Sequence, residues 1–324
     1  MKIVIAGAGS IGCYCGGLLA HAGHDVTLLG RPRILDPIGD KGLTVTDFSG
    51  LDRHVAAQNL TLTEDASCLA TAEAVIVTVK TSATAEITDR ITQYTPITAP
   101  VLSWQNGIGN ARMLRETLPD HDVRAGMVPF NVVPTDPACF HRATSGEIVI
   151  QNGPGALGQR LSSPDLPVIE SDNIDAVQWG KLVINLNNAL NALSGLTLKK
   201  QLLDRNWRRL MADQMTEALA VLRAVGHPVA STTPLPAWMT PYVLRLPTPI
   251  FTRIAARMLT IDPNARTSMA YDLMAGRLTE IDSLQGEIIR LGMQSGVATP
   301  ICTKVRALIE QAPEIALSPD QVKP

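Results

Sequence analysis

The segment Trp179-Gly180-Lys181-Leu182-Val183-Ile184-Asn185-Leu186-Asn187-Asn188 sets a lysine and three asparagines into an otherwise apolar run. A lysine held away from water can deliver a proton near neutral pH, because burial disfavours its charged form and lowers its pKa. With about 100° of turn per residue, Asn185 falls ~40° and Asn188 ~20° from Lys181, whereas Asn187 is ~120° away. Lys181, Asn185 and Asn188 therefore form one stripe. Leu182, Val183, Ile184 and Leu186 leave most other faces apolar, which predicts a helix buried on several sides. A polar stripe on such a helix lines a cavity or pairs internally, since an unsatisfied buried polar group costs about 1–3 kcal/mol. The competing assignment is a solvated stripe on a half-exposed helix. A second cluster reads Ser268-Met269-Ala270-Tyr271-Asp272, then Gly276-Arg277-Leu278-Thr279-Glu280-Ile281-Asp282. Ser268 and Asp272 are one helical turn apart, and Glu280, two turns further on, is rotated ~80° from Asp272. Taken alone, this stretch also passes as an amphipathic surface helix.

Near the start, Gly7-Ala8-Gly9-Ser10-Ile11-Gly12 is a G-x-G-x-x-G that follows a predicted strand and opens a predicted helix. In a dinucleotide-binding turn Gly7 permits the tight bend, Gly9 admits the pyrophosphate to the backbone, and Gly12 lets the helix pack closely on the strand. Free N–H groups at the start of the helix, from Ser10 and Ile11 onward, then face the phosphates. The alternative is a glycine-rich turn with no ligand. After the second strand comes Gly30-Arg31-Pro32-Arg33, with no acidic residue for a ribose 2′-hydroxyl. A guanidinium there suits the 2′-phosphate of NADP, with Arg31 the first choice and Arg33 the second; a solvated loop arginine is the alternative. Val79-Lys80-Thr81 and Gln105-Asn106-Gly107 follow two further apolar strands. Lys80 and Asn106 are thus placed where ligands bind on open α/β sheets, although loops at strand ends are often simply polar.

The elements that must hold these residues alternate in the first half. Ile3–Ala6, Asp25–Leu29, Ala74–Val79 and Val101–Trp104 read as strands, with further strands at Arg124–Val128 and Glu147–Gln151. The helix Ser10–Ala22 stops at Gly23. This rhythm predicts a parallel sheet of Rossmann type. Beyond about Pro167 the pattern turns helical, with long helices over Asn173–Leu198, Asp204–Val225 and Thr267–Leu291, the last stopped by Gly292. Another helix starts near Pro300, and the proline-rich run 228–249 reads as a loop or broken connection. The predicted fold class is α/β, with a dinucleotide-binding domain over 1–168 and an all-helical substrate and catalytic domain over 169–324.

The chain has 324 residues, 45% hydrophobic and 18% charged, with a net charge of −2. That is enough for two compact cores and lacks the basic footprint of a nucleic-acid binder. Its five cysteines are scattered with no zinc-type spacing, so no metal is expected, and free thiols in a reducing cytoplasm are the expectation. No run reaches the ~18 apolar residues of a membrane helix, and the opening Met1–Ala6 is too short for a secretory signal. The sequence is silent on oligomeric state; the apolar C-terminal helices are compatible with a homodimer.

Together these segments resemble the ketopantoate reductase family, the 2-dehydropantoate 2-reductases. The resemblance rests on Gly-Ala-Gly-x-Ile-Gly, the arginine after the second strand, Val-Lys-Thr, Gln-Asn-Gly, Lys-Leu-x-x-Asn, Ser-Met-x-x-Asp, Gly-Arg-x-Thr-Glu-Ile-Asp and the late Thr299-Pro300, in order along nearly the whole chain. It implies NADP(H)-dependent reduction of ketopantoate to pantoate in pantothenate biosynthesis. In that family pattern Lys181 is the general acid and Glu280 its acidic partner. Asn106, Asn185 and Ser268 match substrate-binding positions, Asn106 also lying near the nicotinamide, and Lys80 matches a cofactor-side lysine; Asp272 is structural. The chain departs from the pattern at Ser10 for a common alanine, at Tyr271 for a frequent glutamine, and at Gln285-Gly286 for a frequent Asn-Gly. Asn188 follows Asn185 by three residues where four is usual, which leaves its substrate contact, and the identity of the substrate, open. Another branched or bulky 2-oxo acid is the second reading, and a non-catalytic NADP-binding protein the third. The catalytic reading needs the Lys181 amine to project into a crevice between the two halves, facing the nicotinamide.

Overall fold

A computed structural model describes residues 1–231, 235–311 and 316–324, and only the backbone of 257 and 258. The chain is α/β and divides into two compact units, Met1–Ile174 and Asp175–Pro324.

Unit 1 contains twelve strands: β1 (Lys2–Ala6), β2 (Asp25–Leu29), β3 (Leu43–Asp47), β4 (Asp52–Val55), β5 (Leu60–Thr63), β6 (Ala74–Val77), β7 (Val101–Ser103), β8 (Val123–Met127), β9 (Val132–Asp136), β10 (Cys139–Arg142), β11 (Ile148–Gln151) and β12 (Val168–Ser171). Eight form one sheet in the order β12-β11-β8-β7-β6-β1-β2-β5. Pairing is parallel from β5 through β8, and β11 runs antiparallel to β8. Ile3, Val4, Ile5 and Ala6 are all buried, as a central strand covered on both faces requires. From β1 the chain goes first to β2 on one side and later to β6 on the other, so the topological switch point lies at β1. Ligands on such sheets bind outside the carboxyl ends of the strands at that point.

The remaining four strands make a second sheet, β4-β3-β10-β9, which the strand expectations above do not contain. Its pattern is the period-two alternation of a half-buried strand: Leu43, Val45 and Asp47 are buried, with Thr44 and Thr46 between them. The helix Ser10–His21 lies against both sheets through two glycines. A Cβ on Gly16 would come within 2.7 Å of Leu28, and one on Gly17 within 3.0 Å of Leu43 and Val45. That helix buries Cys13 and Cys15, and burial pushes the Cys13 thiol up to about 12 and raises Cys15 also, so both are inert thiols. All five cysteines are free.

Unit 2 is helical, and several of its elements differ from the expected ones. The Asn173–Leu198 helix is instead two, Ile174–Asn185 and Asn187–Ser194, which abut at Leu186 and end at left-handed Gly195. Leu186 itself keeps helical dihedrals (φ −55°, ψ −28°), and its carbonyl accepts from the Gln285 amide at 2.8 Å. The Thr267–Leu291 helix is broken as well. It runs only over Ser268–Met274 because Gly276, at φ +61°, terminates it, donating to the Leu273 carbonyl while Arg277 N–H donates to that of Asp272. Helix resumes as a π-turn, Asp282–Gly286, leading into Glu287–Ser295, and the stop is Gly296 rather than Gly292. The 228–249 run is partly regular: prolines at first-turn positions start the helices Thr240–Arg245 and Thr248–Ile254, and residues 232–234 lie outside the described residues. The helix Pro300–Glu310 begins where expected, its first N–H groups, Ile301 and Cys302, donating to Glu217 at 2.9 Å. Among the described residues no helix is long and apolar enough to cross a membrane.

Arg208, on the helix Arg205–Ala224, ties these short helices down. It is 1% exposed, donates to the carbonyls of Leu202, Leu203, Leu244 and Leu246, and its guanidinium lies 4.2 Å from the Phe251 ring centroid. Arg208→Met keeps much of the volume but leaves those acceptors without a donor. The expected loss is on the order of 3 kcal/mol in urea-induced unfolding; an unchanged midpoint would show that the guanidinium contributes nothing net.

Candidate functional site

In unit 1 the strands bring four of the singled-out loops to one edge of the large sheet. Ala6 pairs with Leu29 on one side and Val77 on the other, and Val77 with Ser103, so the four strands end level. The glycine turn leaves β1, Arg31 follows β2, Lys80 follows β6 and Asn106 follows β7. Arg31, Arg33, Lys80 and Asn106 are exposed.

The three glycines of the turn divide by what surrounds them. Gly7 has φ +123°, and a Cβ there would meet the Val79 backbone nitrogen at 2.7 Å. A Cβ on Gly12 would strike the Gly7 carbonyl and come within 2.7 Å of Thr78 Oγ1. Both are thus required by the fold. Gly9 is not: its backbone is ordinary extended (φ −91°, ψ −170°), and nothing lies within 4 Å of an added Cβ. Gly9 caps the helix Ser10–His21 with no side-chain hydrogen bond, so no side chain satisfies the first N–H groups, among them those of Ser10, Ile11 and Gly12. An anion fits there, drawn by unpaired donors and the positive end of the helix dipole.

Two features of this edge escape a reading of the glycine motif alone. Thr78 Oγ1 donates to the Gly7 carbonyl at 2.7 Å, and Gly30 leaves room for Ala8. Gln105, Thr84 and Asn110 form a buried polar chain beneath the two outer loops. The Gln105 amide donates to the Val79 carbonyl at 3.1 Å and to Thr84 Oγ1 at 2.8 Å; Thr84 donates to Asn110 Oδ1, and the Asn110 amide to the Asn106 carbonyl at 2.8 Å. These bonds set the backbone that displays Lys80 and Asn106. The signal in the sequence is a set of Thr, Gln and Asn residues after the strands, which by residue type alone looks like loop polarity.

In unit 2 the helix Ile174–Asn185 buries Trp179, Leu182 and Val183, with the Trp179 ring stacked on His227 at 4.7 Å. Lys181 is half-buried, and desolvation by burial draws its pKa from 10.5 down to about 8. Asn185 is buried one turn on, and Asn188 is half-buried beyond the break at Leu186. Neither carboxamide hydrogen-bonds to the protein among the described residues. The structure therefore keeps Lys181 and Asn185 on one helix and moves Asn188 onto the next.

Asn187, off the stripe, has a different environment. It exchanges hydrogen bonds with Gln201, Asn191 donates to Gln201 and the Leu196 carbonyl, and Asn191 Oδ1 accepts from the Thr267 N–H at 3.0 Å. Thr267 caps the helix that begins at Ser268, and its hydroxyl donates to the Asn188 carbonyl at 3.0 Å. This amide cluster fixes half-buried Ser268 against the continuation of the lysine helix. Asp272 pairs with Arg277 at 3.0 Å, which closes the turn after that helix. Glu280 is half-buried and lies outside any helix, rather than on the helix of Ser268 and Asp272 as expected; its carbonyl accepts from Ser283 N–H. Among the described residues no group of three or more His, Cys, Asp or Glu could hold a metal ion.

A glycine turn at a sheet's switch point, followed along the chain by a helical unit with a desolvated lysine, is the order found in dinucleotide-dependent oxidoreductases. The comparisons with known proteins give the family. Residues 3–155 match the ketopantoate reductase PanE/ApbA family model, and residues 173–312 match its C-terminal counterpart. A PanE/ApbA family ketopantoate reductase from Ralstonia eutropha, solved as a crystal structure, is 32% identical, with 99% of each chain covered and a TM-score of 0.80. A 2-dehydropantoate 2-reductase from Halobacterium salinarum is 27% identical over 321 residues, 96% of this chain and 99% of that one. A D-mandelate dehydrogenase solved with NADH and anilino(oxo)acetate shares the fold at a TM-score of 0.78 and 23% identity, with 99% of each chain covered. The chain belongs to the ketopantoate reductase family.

Proposed function

We propose that the protein reduces 2-dehydropantoate to pantoate with NADPH, a step of pantothenate biosynthesis in the cytoplasm. Unit 1 serves as the dinucleotide-binding domain, and unit 2 as the substrate and catalytic domain. The observation that carries this reading is the lysine of the family's Lys-Leu-x-x-Asn pattern, with its pKa drawn to about 8 by burial.

NADPH supplies the hydride that reduces the ketone carbon. The protein's own task is to bind, orient and protonate. Gly7, Gly9, Ser10, Ile11 and Gly12 hold the pyrophosphate, Arg31 the 2′-phosphate, and Lys80 and Asn106 border the cofactor from neighbouring strand ends. Lys181 gives its proton to the ketone oxygen as the C–O π electrons move onto it, ending as a neutral amine that water reprotonates. Glu280 orients Lys181 and substrate; Asn106, Asn185, Asn188 and Ser268 hydrogen-bond the 2-oxo acid. A homodimer of this chain fits the reading; a Staphylococcus aureus ketopantoate reductase on the same fold is described as dimeric.

A second reading has a specific observation behind it. Asn188 follows Asn185 by three residues, across the interruption at Leu186, so the pair offers a substrate a different spacing from two asparagines four apart. Another branched or bulky 2-oxo acid then becomes the substrate, with the same proton and hydride chemistry. Steady-state reduction of ketopantoate and of a panel of such acids, each with NADPH and NADH, decides between them. Preferred turnover of ketopantoate with NADPH is the expected outcome, and no oxidation of either nicotinamide with any acid would overturn both readings. Arg31→Ala is expected to raise KM for NADPH about thirtyfold and leave that for NADH within twofold, the signature of a lost charge-assisted phosphate contact of roughly 2 kcal/mol. Equal effects on both coenzymes would remove Arg31 from the 2′-phosphate site.

A further inference from the structure

We infer that Gln285 is a positioning residue for the catalytic lysine helix, acting through a hydrogen bond to the one carbonyl that separates Asn185 from Asn187. The inference rests on the proposed roles of Lys181 and Glu280. Gln285 is completely buried, and its Nε2 donates to the Leu186 carbonyl at 2.8 Å, across 99 residues of sequence. Leu186 is the junction at which the lysine helix stops and the Asn187–Ser194 helix begins.

The cost of this arrangement argues for its purpose. Gln285 Oε1 is buried with no hydrogen-bond partner among the described residues. A buried amide with half its capacity unmet is less favourable than an apolar side chain of the same shape, so core stability alone does not account for it. What the amide provides that a methionine could not is a fixed acceptor–donor link at the helix junction.

The element bearing Gln285 supports the same assignment. It lies in the π-turn Asp282–Gly286, which begins two residues after Glu280, and such turns recur at functional sites. On one side the turn is anchored by Asp282, whose carboxylate pairs with Arg306 of the Pro300–Glu310 helix at 2.8 Å. On the other it is anchored by Gln285 at Leu186. Gln285 therefore ties the stretch that starts at Glu280 to the end of the helix that presents Lys181 and Asn185, at the residue before the Asn187–Ser194 helix that carries Asn188.

The test uses the full chain with Gln285→Met, which conserves length and removes the donor, and Gln285→Asn, which keeps an amide one methylene too short to reach. Thermal melting, NADPH affinity by fluorescence titration, and kcat and KM for ketopantoate are measured on both. Expected is a drop in kcat of about tenfold, the rate equivalent of one lost buried hydrogen bond, with NADPH Kd within twofold of the parent. A purely structural role would lower the melting temperature and leave kcat of the folded protein unchanged; that result in either variant overturns the inference, and Gln285→Asn decides it if Gln285→Met does not fold. Lys181→Ala, assayed alongside, separates the two levels. If it retains parental turnover, the reading of the lysine fails; if it is inactive while both Gln285 variants turn over normally, only the positioning role fails.

Discussion

Lys181→Ala is expected to lower kcat for ketone reduction about a thousandfold while leaving NADPH affinity within twofold, the middle of the range for loss of a positioned general acid. The physical basis is the environment of the amine. Burial brings the pKa to about 8, so at pH 7 the group still carries its proton, yet gives it up far more readily than a solvated lysine. The sign of the pH dependence follows. A general acid must start protonated, so kcat should hold below about pH 8 and fall as pH rises through that value. The alanine variant should lose this limb along with the rate. Turnover of Lys181→Ala within tenfold of the parent, or a parental limb near the ordinary lysine pKa, would exclude Lys181 as the proton donor.

Gly9→Ala should separate folding from binding. The added methyl meets nothing within 4 Å, and the backbone there is one that alanine adopts freely. Thermal and urea stability should therefore match the parent. Dinucleotide affinity should not, because the methyl would occupy the space that the proposed function gives to the pyrophosphate. Crowding of this kind costs about 2 kcal/mol, roughly thirtyfold in Kd. Gly12→Ala is the opposite control: its methyl strikes the Gly7 carbonyl and Thr78 Oγ1, so it should lose stability before any ligand is added. Titration calorimetry with NADPH beside a denaturation curve reads both. If Gly9→Ala binds as tightly as the parent, the phosphates do not lie over this turn.

The contrast between these glycines shows what kind of information each part of the chain carries. The G-x-G-x-x-G spacing already distinguishes three roles, because a strand, a bend and a helix start lie within ten residues and their sterics are local. The same holds for the apolar strands β1, β2, β6 and β7 and for the lysine helix as far as Asn185. The second sheet is less legible. β3 pairs with β10 nearly a hundred residues later, and its alternation over five residues competes with turn signals on both sides. Glu280 lies off the expected helix for a different reason. The apolar periodicity of 267–291 is helical on average, and only Gly276 in its left-handed conformation marks where the helix ends.

Residue order by itself determined the α/β class, the glycine turn between the first strand and helix, the arginine after the second strand and the family, since each depends on neighbours within a turn or a strand length. Tertiary structure alone decided the break at Leu186, the amide cluster that seats Ser268, the chain of Gln105, Thr84 and Asn110 under the loops, and the anchoring of the turn after Glu280. Those features are hydrogen bonds between groups far apart along the chain. A buried donor settles on whichever acceptor the packed core brings to it, and local periodicity contains no trace of that choice.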